Sequence, residues 1–407
     1  MELILVVNFG GSSLKYRAYS VPRLELMSRG HIERLGSPDA VMRTWGEDGC
    51  GSEPRPVAAS NPTEALRLLF AALLGPDGTT AGAAQIRVVA HKLAHGGPKY
   101  IDASIIDNDV LAALEEFATV VPIHNGASIT AIRAVGEVLG PVTQVGVFET
   151  GFHASIPEFA AVYGLPYEIC AEHGIRKYGF HGASHRYVSE QVPLILGVPV
   201  EGLRLVSCHL GSGTSVAAIL SGRSVEISSG FTPQSGTMMS TRSGDFDAEA
   251  LMYLLMRGIS SVHELRTILA EKSGLLGISG VSGNLPEVME EASRGNRRAV
   301  LAVDAFSYRI RQAIGMCATA LNGVDVIAFT GGIGERSPEI RRRVCSGLEF
   351  LGLSLDQERN AFPGKDGVLS AADSRVKVVT LETDEEFIVA REALRIIGET
   401  TKSINRR

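Results

Sequence analysis

Apolar and polar positions alternate in blocks along the whole chain. Short strand-like runs ("LILVV", "IRVVAHKLA", "VTQVGVF", "RLVSCHL", "VDVIAF" and "VKVVTL") are separated by stretches with helical spacing, which is the grammar of an α/β protein. The stretch "LKYRAYS" after Ser13 alternates with aromatics instead, so "VVNFGGSSLKYRAYS" predicts a strand-turn-strand hairpin. Helix starts are marked too. Asn61-Pro62-Thr63-Glu64 supplies an N-cap, a proline at the first helical position and an acid at the third, which predicts a helix over "TEALRLLFAALL" closed at Gly75. Ser337-Pro338 opens "EIRRRVCSGLEFLG" in the same way, and the basic run "IRRRV" within it reads as a solvated helix face.

A strand ending in a Gly-rich turn occurs three times: "VVNFGGSSLK", "SCHLGSGTSVAAI" and "AFTGGIGERSPEI". The first two are followed by another strand-like run and the third by a helix. This suggests two related halves, each offering a Gly-rich hairpin, plus a helix start suited to an anion or nucleotide. None of the three has the spacing of a P-loop or a dinucleotide fingerprint.

Bulk properties narrow the class. At 407 residues there is room for two domains, and 45% hydrophobic with 21% charged residues argues against a long disordered region. A net charge of -6 gives no support to a nucleic-acid or anionic-membrane partner. Five scattered cysteines (Cys50, Cys170, Cys208, Cys317, Cys345) without a CxxC pair fit reduced thiols in the cytoplasm. The N-terminus lacks the pattern of a signal peptide, and no apolar run reaches the ~18 residues of a membrane span.

Two polar clusters carry candidate chemistry. Eight of the ten histidines lie between His91 and His209. The i,i+4 pairs His91/His95 and His181/His185 match half of a zinc motif, but glycines interrupt both stretches and the inserted glutamate is missing. Structural hydrogen bonding and contact with a phosphoryl group both stay open for them. In "SSGFTPQSGTMMSTRSGDFD", Arg242 stands among hydroxyls and beside Asp245 and Asp247. It is read either as an anion clamp or as half of a loop-stabilising Arg-Asp pair. Glu149, Glu385 and Glu386 follow strand-like runs, where acids suit a magnesium ion accompanying a phosphate donor.

In their order these motifs resemble the acetate kinase family, from "VVNFGGSSLK" through "KYGFHGASH", "GFTPQSGTMMSTRSGDFD", "SGLLGISGVSG" and "FTGGIGERS" to "TDEEFIVARE". The resemblance implies a fold of two actin-like (ribonuclease H-like) α/β domains around a nucleotide-binding cleft. The expected boundaries are residues 1–149 with 386–407, and residues 150–385, the second domain carrying the nucleotide site and a homodimer interface. It implies direct in-line transfer of the ATP γ-phosphoryl to a short-chain carboxylate, giving an acyl phosphate and ADP. By position, His181 would stabilise the transferring group, with Arg242, His124, Glu149 and Lys92 as the other catalytic groups. Ala94, Ile123, Phe180 and Pro233, beside Lys92, would hold the acyl substrate. Nucleotide contacts would come from Lys15, His209, Gly211, Ser212, Gly213, Asn284, Gly331, Gly332, Ile333, Gly334 and Glu335. Asn8 and Glu385 would hold Mg²⁺, or Mn²⁺.

The chain also departs from the family pattern. Lys92 replaces an arginine, Glu149 an aspartate, Pro286 an arginine near the adenine, Ser212 an asparagine, Gly11 a serine and Ala94 a valine. Lysine loses the bidentate fork, and glutamate moves its carboxylate by a methylene. Pyrophosphate as donor, another acceptor, and a nucleotide-binding relative without catalysis are the alternatives. Ala94 leaves room for a longer acyl chain, so propionate is expected to compete with acetate.

Overall fold

The computed structural model describes residues 2–10, 13–74, 85–364 and 367–404. Gly11, Ser12 and the helix-closing Gly75 lie outside the described residues. The chain divides into two compact units, Met1–Gly151 with Asp384–Arg407, and Phe152–Thr383.

The first unit is built on an eight-stranded sheet in the order β5-β4-β3-β2-β1-β6-β8-β7. Its strands are β1 (Leu3–Phe9), β2 (Ser13–Ser20), β3 (Leu26–Glu33), β4 (Val41–Trp45), β5 (Arg55–Pro56), β6 (Ile86–Leu93), β7 (Ser104–Ile105) and β8 (Gln144–Phe148). Strand β1 forms the expected antiparallel hairpin with β2 and runs parallel to β6, which runs parallel to β8. Its continuous apolar run is explained by cover on both faces. Leu5 and Val7 pack with Leu66, Leu69 and Phe70 of the helix Pro62–Leu74. Ile4 and Val6 pack with Val389, Ala390 and Ala393 of the helix Glu385–Ile404. The helix Pro62–Leu74 starts as expected, with Asn61 Oδ1 accepting from Glu64 N at 3.0 Å.

The second unit repeats the plan with β9 (Arg204–Leu210), β10 (Thr214–Leu220), β11 (Arg223–Ile227), β12 (Val326–Thr330) and β13 (Lys377–Thr380), in the order β11-β10-β9-β12-β13. Strand β9, like β1, has an antiparallel hairpin on one side and a parallel strand on the other. The helix Arg297–Ala320 lays Phe306, Ile310 and Ile314 on one face of this sheet, and Val188 and Val192 of the helix Gly182–Leu196 cover the other.

One reading of the basic run is overturned. Arg342 and Arg343 do reach Glu339, but Arg341 is 0% exposed. Its guanidinium donates to the carbonyls of Gly334 (2.8 Å), Glu335 (2.7 Å) and Asn360 (2.6 Å) and to Asn360 Oδ1 (2.8 Å). Burial lowers its pKa to about 10. Consecutive helical residues step around the axis, so three arginines in a row cannot share one solvated face. The helix is also shorter than expected, ending at Cys345 before Gly347 takes φ +89°.

Candidate active site

In the second unit, three segments set the geometry. The β9–β10 turn is closed by Gly211 N donating to Gly213 O at 2.9 Å. Residues 236–245 form a loop in which Asp245 Oδ1 accepts from Gly236 N (2.7 Å), Met239 N donates to Arg242 O (3.1 Å) and Ser240 N to Ser212 O (3.3 Å). Gly244 needs its freedom there: φ is +70°, and a Cβ would stand 2.6 Å from Gly236 O. The third segment is the start of the helix Gly182–Leu196, where His181 holds a left-handed φ of 57°. Such a conformation in a non-glycine residue has to be imposed by its surroundings. Phe180 N donates to Ser229 Oγ (3.1 Å) and Phe180 O accepts from His153 Nε2 (3.1 Å), which fixes the backbone on its N-terminal side.

These constraints bring two side chains together. A Cβ added to Gly213 would lie 2.8 Å from Arg242 Nη2 and 3.0 Å from His181 Nε2. Arg242 is steered by its Nη1 donating to Pro233 O at 2.6 Å. Its suspected acidic partners are used elsewhere, Asp245 on Gly236 N and Asp247 on Glu249 N, so the Arg-Asp pair does not form. Burial lowers the Arg242 pKa, and among the described residues no carboxylate offsets its charge. The result is a fixed cationic fork and an imidazole nitrogen converging on a glycine.

Beside them lies a cavity of about 1160 Å³ lined by Gly211, Ser212, Arg242, Gly283, Asn284, Pro286, Gly332 and Ile333 among others. Several expected nucleotide residues therefore share one cavity. Asn284 starts the helix Leu285–Ser293 and donates from Nδ2 to Glu287 Oε1 at 2.9 Å. The remaining glycines have packing reasons. Gly331 has φ +75° and would place a Cβ 2.7 Å from Leu210 O, while Gly334 packs on Phe329. Glu335 lines a different cavity of about 520 Å³ with Thr380 and Glu382, and burial with the nearby Glu382 raises its pKa. His209 stacks on His181, ring centroids 4.2 Å apart, and pairs with Ser184 Oγ through Nδ1 at 2.8 Å.

In the first unit, the candidate residues follow the carboxyl ends of the parallel strands, the usual place for a ligand in an α/β sheet. Lys92 is the penultimate residue of β6, Glu149 follows β8 with its N donating to Leu93 O at 2.8 Å, and Asn8 lies near the end of β1 opposite Lys15. Lys92 Nζ contacts Glu385 Oε2 at 2.5 Å, the side chains being 21% and 14% exposed. Burial opposes the ammonium charge, but Glu385, Glu149 and Glu386 outweigh it and raise the pKa of Lys92. His124 is exposed in the first turn of the helix Pro122–Leu139, and Ala94 is half-buried. The side chain of Ile123 lies outside what is described. Lys15 is exposed and lines a small pocket with Arg17, Arg29, His31 and Trp45.

The pattern that describes the acetokinase family matches residues 3–391. The chain belongs to the acetokinase family. It is 41% identical over 398 residues to an acetate kinase of Heliobacterium modesticaldum, covering 97% of this chain and 99% of the relative. An acetate kinase of Desulfitobacterium hafniense is 42% identical over 397 residues, with 97% and 99% covered. Among solved structures, that of the Porphyromonas gingivalis acetate kinase superposes with a TM-score of 0.87 at 36% identity, covering 98% of this chain and 100% of that one. A propionate kinase from Francisella tularensis gives a TM-score of 0.87 at 31% identity, covering 96% and 99%. The protein is thus a carboxylate kinase, a phosphotransferase with ATP as donor and a carboxyl group as acceptor.

Sequence reasoning missed the groups behind His181. His181 Nδ1 and His185 Nε2 both lie 2.8 Å from Ser215 Oγ, and His185 Nδ1 lies 2.8 Å from Ser207 Oγ. His153 Nδ1 meets Ser224 Oγ at 2.8 Å. The i,i+4 spacing of His181 and His185 was visible, but the serines that use it come from two strands. Burial pushes the pKa values of His91 and His153 down to about 4 and that of His185 well below the usual value. The unfolded chain takes up these protons below pH ~6.5 while the native one does not, so stability is lost as pH falls from ~6.5 towards ~4, by up to ~1.4 kcal/mol per pH unit for each histidine. Urea unfolding between pH 7 and pH 5 should show this loss, and His153→Gln should make it shallower by about one proton's worth. An unchanged pH slope in that variant would contradict the assignment.

Proposed function

We propose that the enzyme catalyses reversible in-line transfer of the ATP γ-phosphoryl group to acetate and propionate, yielding the acyl phosphate and ADP. The observation that carries this reading is the convergence of Arg242 Nη2 and His181 Nε2 beside Gly213, with no carboxylate among the described residues offsetting Arg242. The transferring group spreads negative charge over its equatorial oxygens, and fixed donors aimed at that charge are the main source of rate in such reactions. Arg242 and His181 would stabilise it. Lys92, Glu149 and His124 would orient the carboxylate and the phosphoryl group, and Ser212, Asn284 and Ile333 would line the nucleotide. Lys15, His209 and the glycines at 211, 213 and 331 to 334, with Glu335, are assigned supporting roles around its phosphates.

Asn8 and Glu385 offer hard oxygen donors within one unit. This fits Mg²⁺, or Mn²⁺, which takes one or two protein oxygens and completes its shell with phosphates and water. Bound there, the ion would offset charge on the donor phosphates. Lys92, in contact with Glu385, balances part of that carboxylate's charge.

The acyl preference is proposed from Ala94, half-buried just after β6, where a small side chain leaves room for a longer acyl chain. Steady-state kinetics with formate, acetate, propionate and butyrate should give propionate a kcat/KM within about tenfold of acetate, the scale of one methylene in an apolar pocket. A larger preference for acetate would overturn the acyl assignment.

A homodimer is proposed through the second unit. The helix Ala248–Met256 buries none of its residues and leaves Met252, Tyr253 and Met256 exposed, the last by 87%. Apolar exposure on this scale marks an interaction surface. Light scattering should report a dimer for the protein and a monomer for Met256→Glu, and a dimer in both would contradict this interface. Placement in the cytoplasm rests on five free cysteines, four of them buried, as expected in a reducing compartment.

A further inference from the structure

We infer that one face of strands β2, β3 and β4 holds a second anion site, fitted to a small inorganic polyphosphate and built around Trp45, the protein's single tryptophan. Alternation sends every second side chain to the same face, and the strand register sets two rows there. Lys15 stands opposite His31 and His31 opposite Arg43, while Arg17 stands opposite Arg29 and Arg29 opposite Trp45. Apart from Trp45, every one of these is a basic residue type, in a chain whose net charge is -6. Like charges directly opposite across a strand pair repel, so Arg17 beside Arg29 calls for a negative neighbour. The protein meets part of that need. Arg17 Nη1 donates to Asp384 Oδ1 at 2.7 Å, its Nη2 lies 3.6 Å from Glu386 Oε2, and His31 Nε2 lies 3.5 Å from Glu33 Oε1, which leaves Lys15, Arg29 and Arg43 without an ion pair among the described residues. Burial lowers the pKa of His31 and Glu33 opposes this, but Lys15, Arg43 and Arg29 all push it further down, a sign of how closely three cations crowd one ring.

Trp45 holds the cations in place. The guanidinium carbons of Arg29 and Arg43 lie 5.0 Å and 5.4 Å from the indole centroid, the His31 ring lies 5.2 Å away, and a Cβ on Gly51 would stand 2.5 Å from the indole Nε1. The indole therefore serves as a platform for two like charges rather than as a stacking surface for a nucleobase. Lys15, Arg17, Arg29, His31, Trp45 and Glu386 line a cavity of about 250 Å³. That is below the ~300–1,000 Å³ of pockets for drug-sized ligands, so a small anion fits it better than a nucleotide does. Side chains two apart on a strand stand ~7 Å from each other and neighbouring strands ~5 Å, so two linked phosphates reach both rows where a single one does not. Guanidinium forks match phosphate oxygens.

The site leads to the proposed metal ligand. Glu386, in the cavity wall, follows Glu385 at the start of the helix Glu385–Ile404, and Asp384 Oδ1 accepts from Phe387 N of that helix at 2.9 Å. An anion that draws Arg17 from Asp384 and repels Glu386 disturbs this first turn, and Glu385 with it, so bound polyphosphate weakens the use of Mg²⁺. This coupling rests on the proposed role of Glu385, whereas the anion site does not.

Trp45 reports occupancy directly. With metal-free protein at constant ionic strength, inorganic pyrophosphate should change the tryptophan fluorescence saturably, and Arg29→Gln should weaken binding at least about tenfold, the scale of one charge-assisted contact. No saturable change, an equal change from sodium chloride, or an unaltered affinity in Arg29→Gln would overturn the site. A response to ADP with none to pyrophosphate would contradict its inorganic ligand. Kinetics over a range of free Mg²⁺ read the coupling: pyrophosphate should raise the Mg²⁺ concentration for half-maximal rate about fivefold or more in the parent, and by much less in Arg29→Gln, whose activity without pyrophosphate should equal the parent's. Equal shifts in both proteins would place the effect at the active site and contradict the coupling. Fluorescence needs no turnover, so an inactive protein would defeat the kinase reading and leave the anion site standing.

Discussion

Replacing Gly213 with alanine is expected to lower kcat by at least about a hundredfold without unfolding the protein. The added methyl would stand 2.8 Å from Arg242 Nη2 and 3.0 Å from His181 Nε2, inside van der Waals contact with both. Its nearest neighbours are the far ends of two side chains rather than backbone, so the fold can yield by turning those side chains aside. That displacement is what costs activity, because a shift of ~1 Å in a positioned group is worth about a hundredfold in rate. Thermal unfolding measured beside the kinetics separates the effects. A near-normal kcat in Gly213→Ala would mean that these two groups do not act at this point.

Lys92→Ala should combine a large loss of activity with a loss of stability. Lys92 is the cation among Glu385, Glu149 and Glu386, all three of which favour its charged form. Removing it leaves largely buried carboxylates without their counter-charge, an event that costs roughly 3 kcal/mol when one partner of a buried pair is deleted. The same change should cut kcat/KM by more than about a hundredfold, since the acids would repel an incoming carboxylate and phosphate. Lys92→Arg restores the charge and adds a fork, so its stability should stay near that of the parent. Urea unfolding and steady-state kinetics on the two variants decide the matter, and an alanine variant as stable as the parent would contradict the ion-pair account.

The hairpins, the strands and the Gly-rich turn between β9 and β10 were legible because each is encoded within one short window, by alternation, by an apolar run or by a glycine at a turn, whereas Gly331–Arg336, expected as a turn before a helix, is itself a short helix. The Arg242 loop was legible as a cluster, but its two readings separated only when Asp245 and Asp247 were found engaged with Gly236 N and Glu249 N. Arg341 was misread because its partners, the carbonyls of Gly334, Glu335 and Asn360, come from segments before and after its helix. For the same reason the histidine chain stayed hidden. Alternation along β9 places Ser207 and His209 on one face, but nothing local to either strand says which helix will cover that face. Local rules reach elements and turns, whereas polar networks are settled by packing between elements distant in the chain.

The central claim, phosphoryl transfer to a carboxyl group by Arg242 and His181, is tested most directly by trapping the product. Purified protein with ATP, Mg²⁺ and acetate or propionate is incubated with hydroxylamine, which converts an acyl phosphate into a coloured hydroxamate, beside an Arg242→Ala control shown to bind ATP. The account predicts hydroxamate from the parent protein and a loss of at least about a hundredfold in the control. No hydroxamate from a parent protein that binds ATP, or undiminished product in the control, would contradict it.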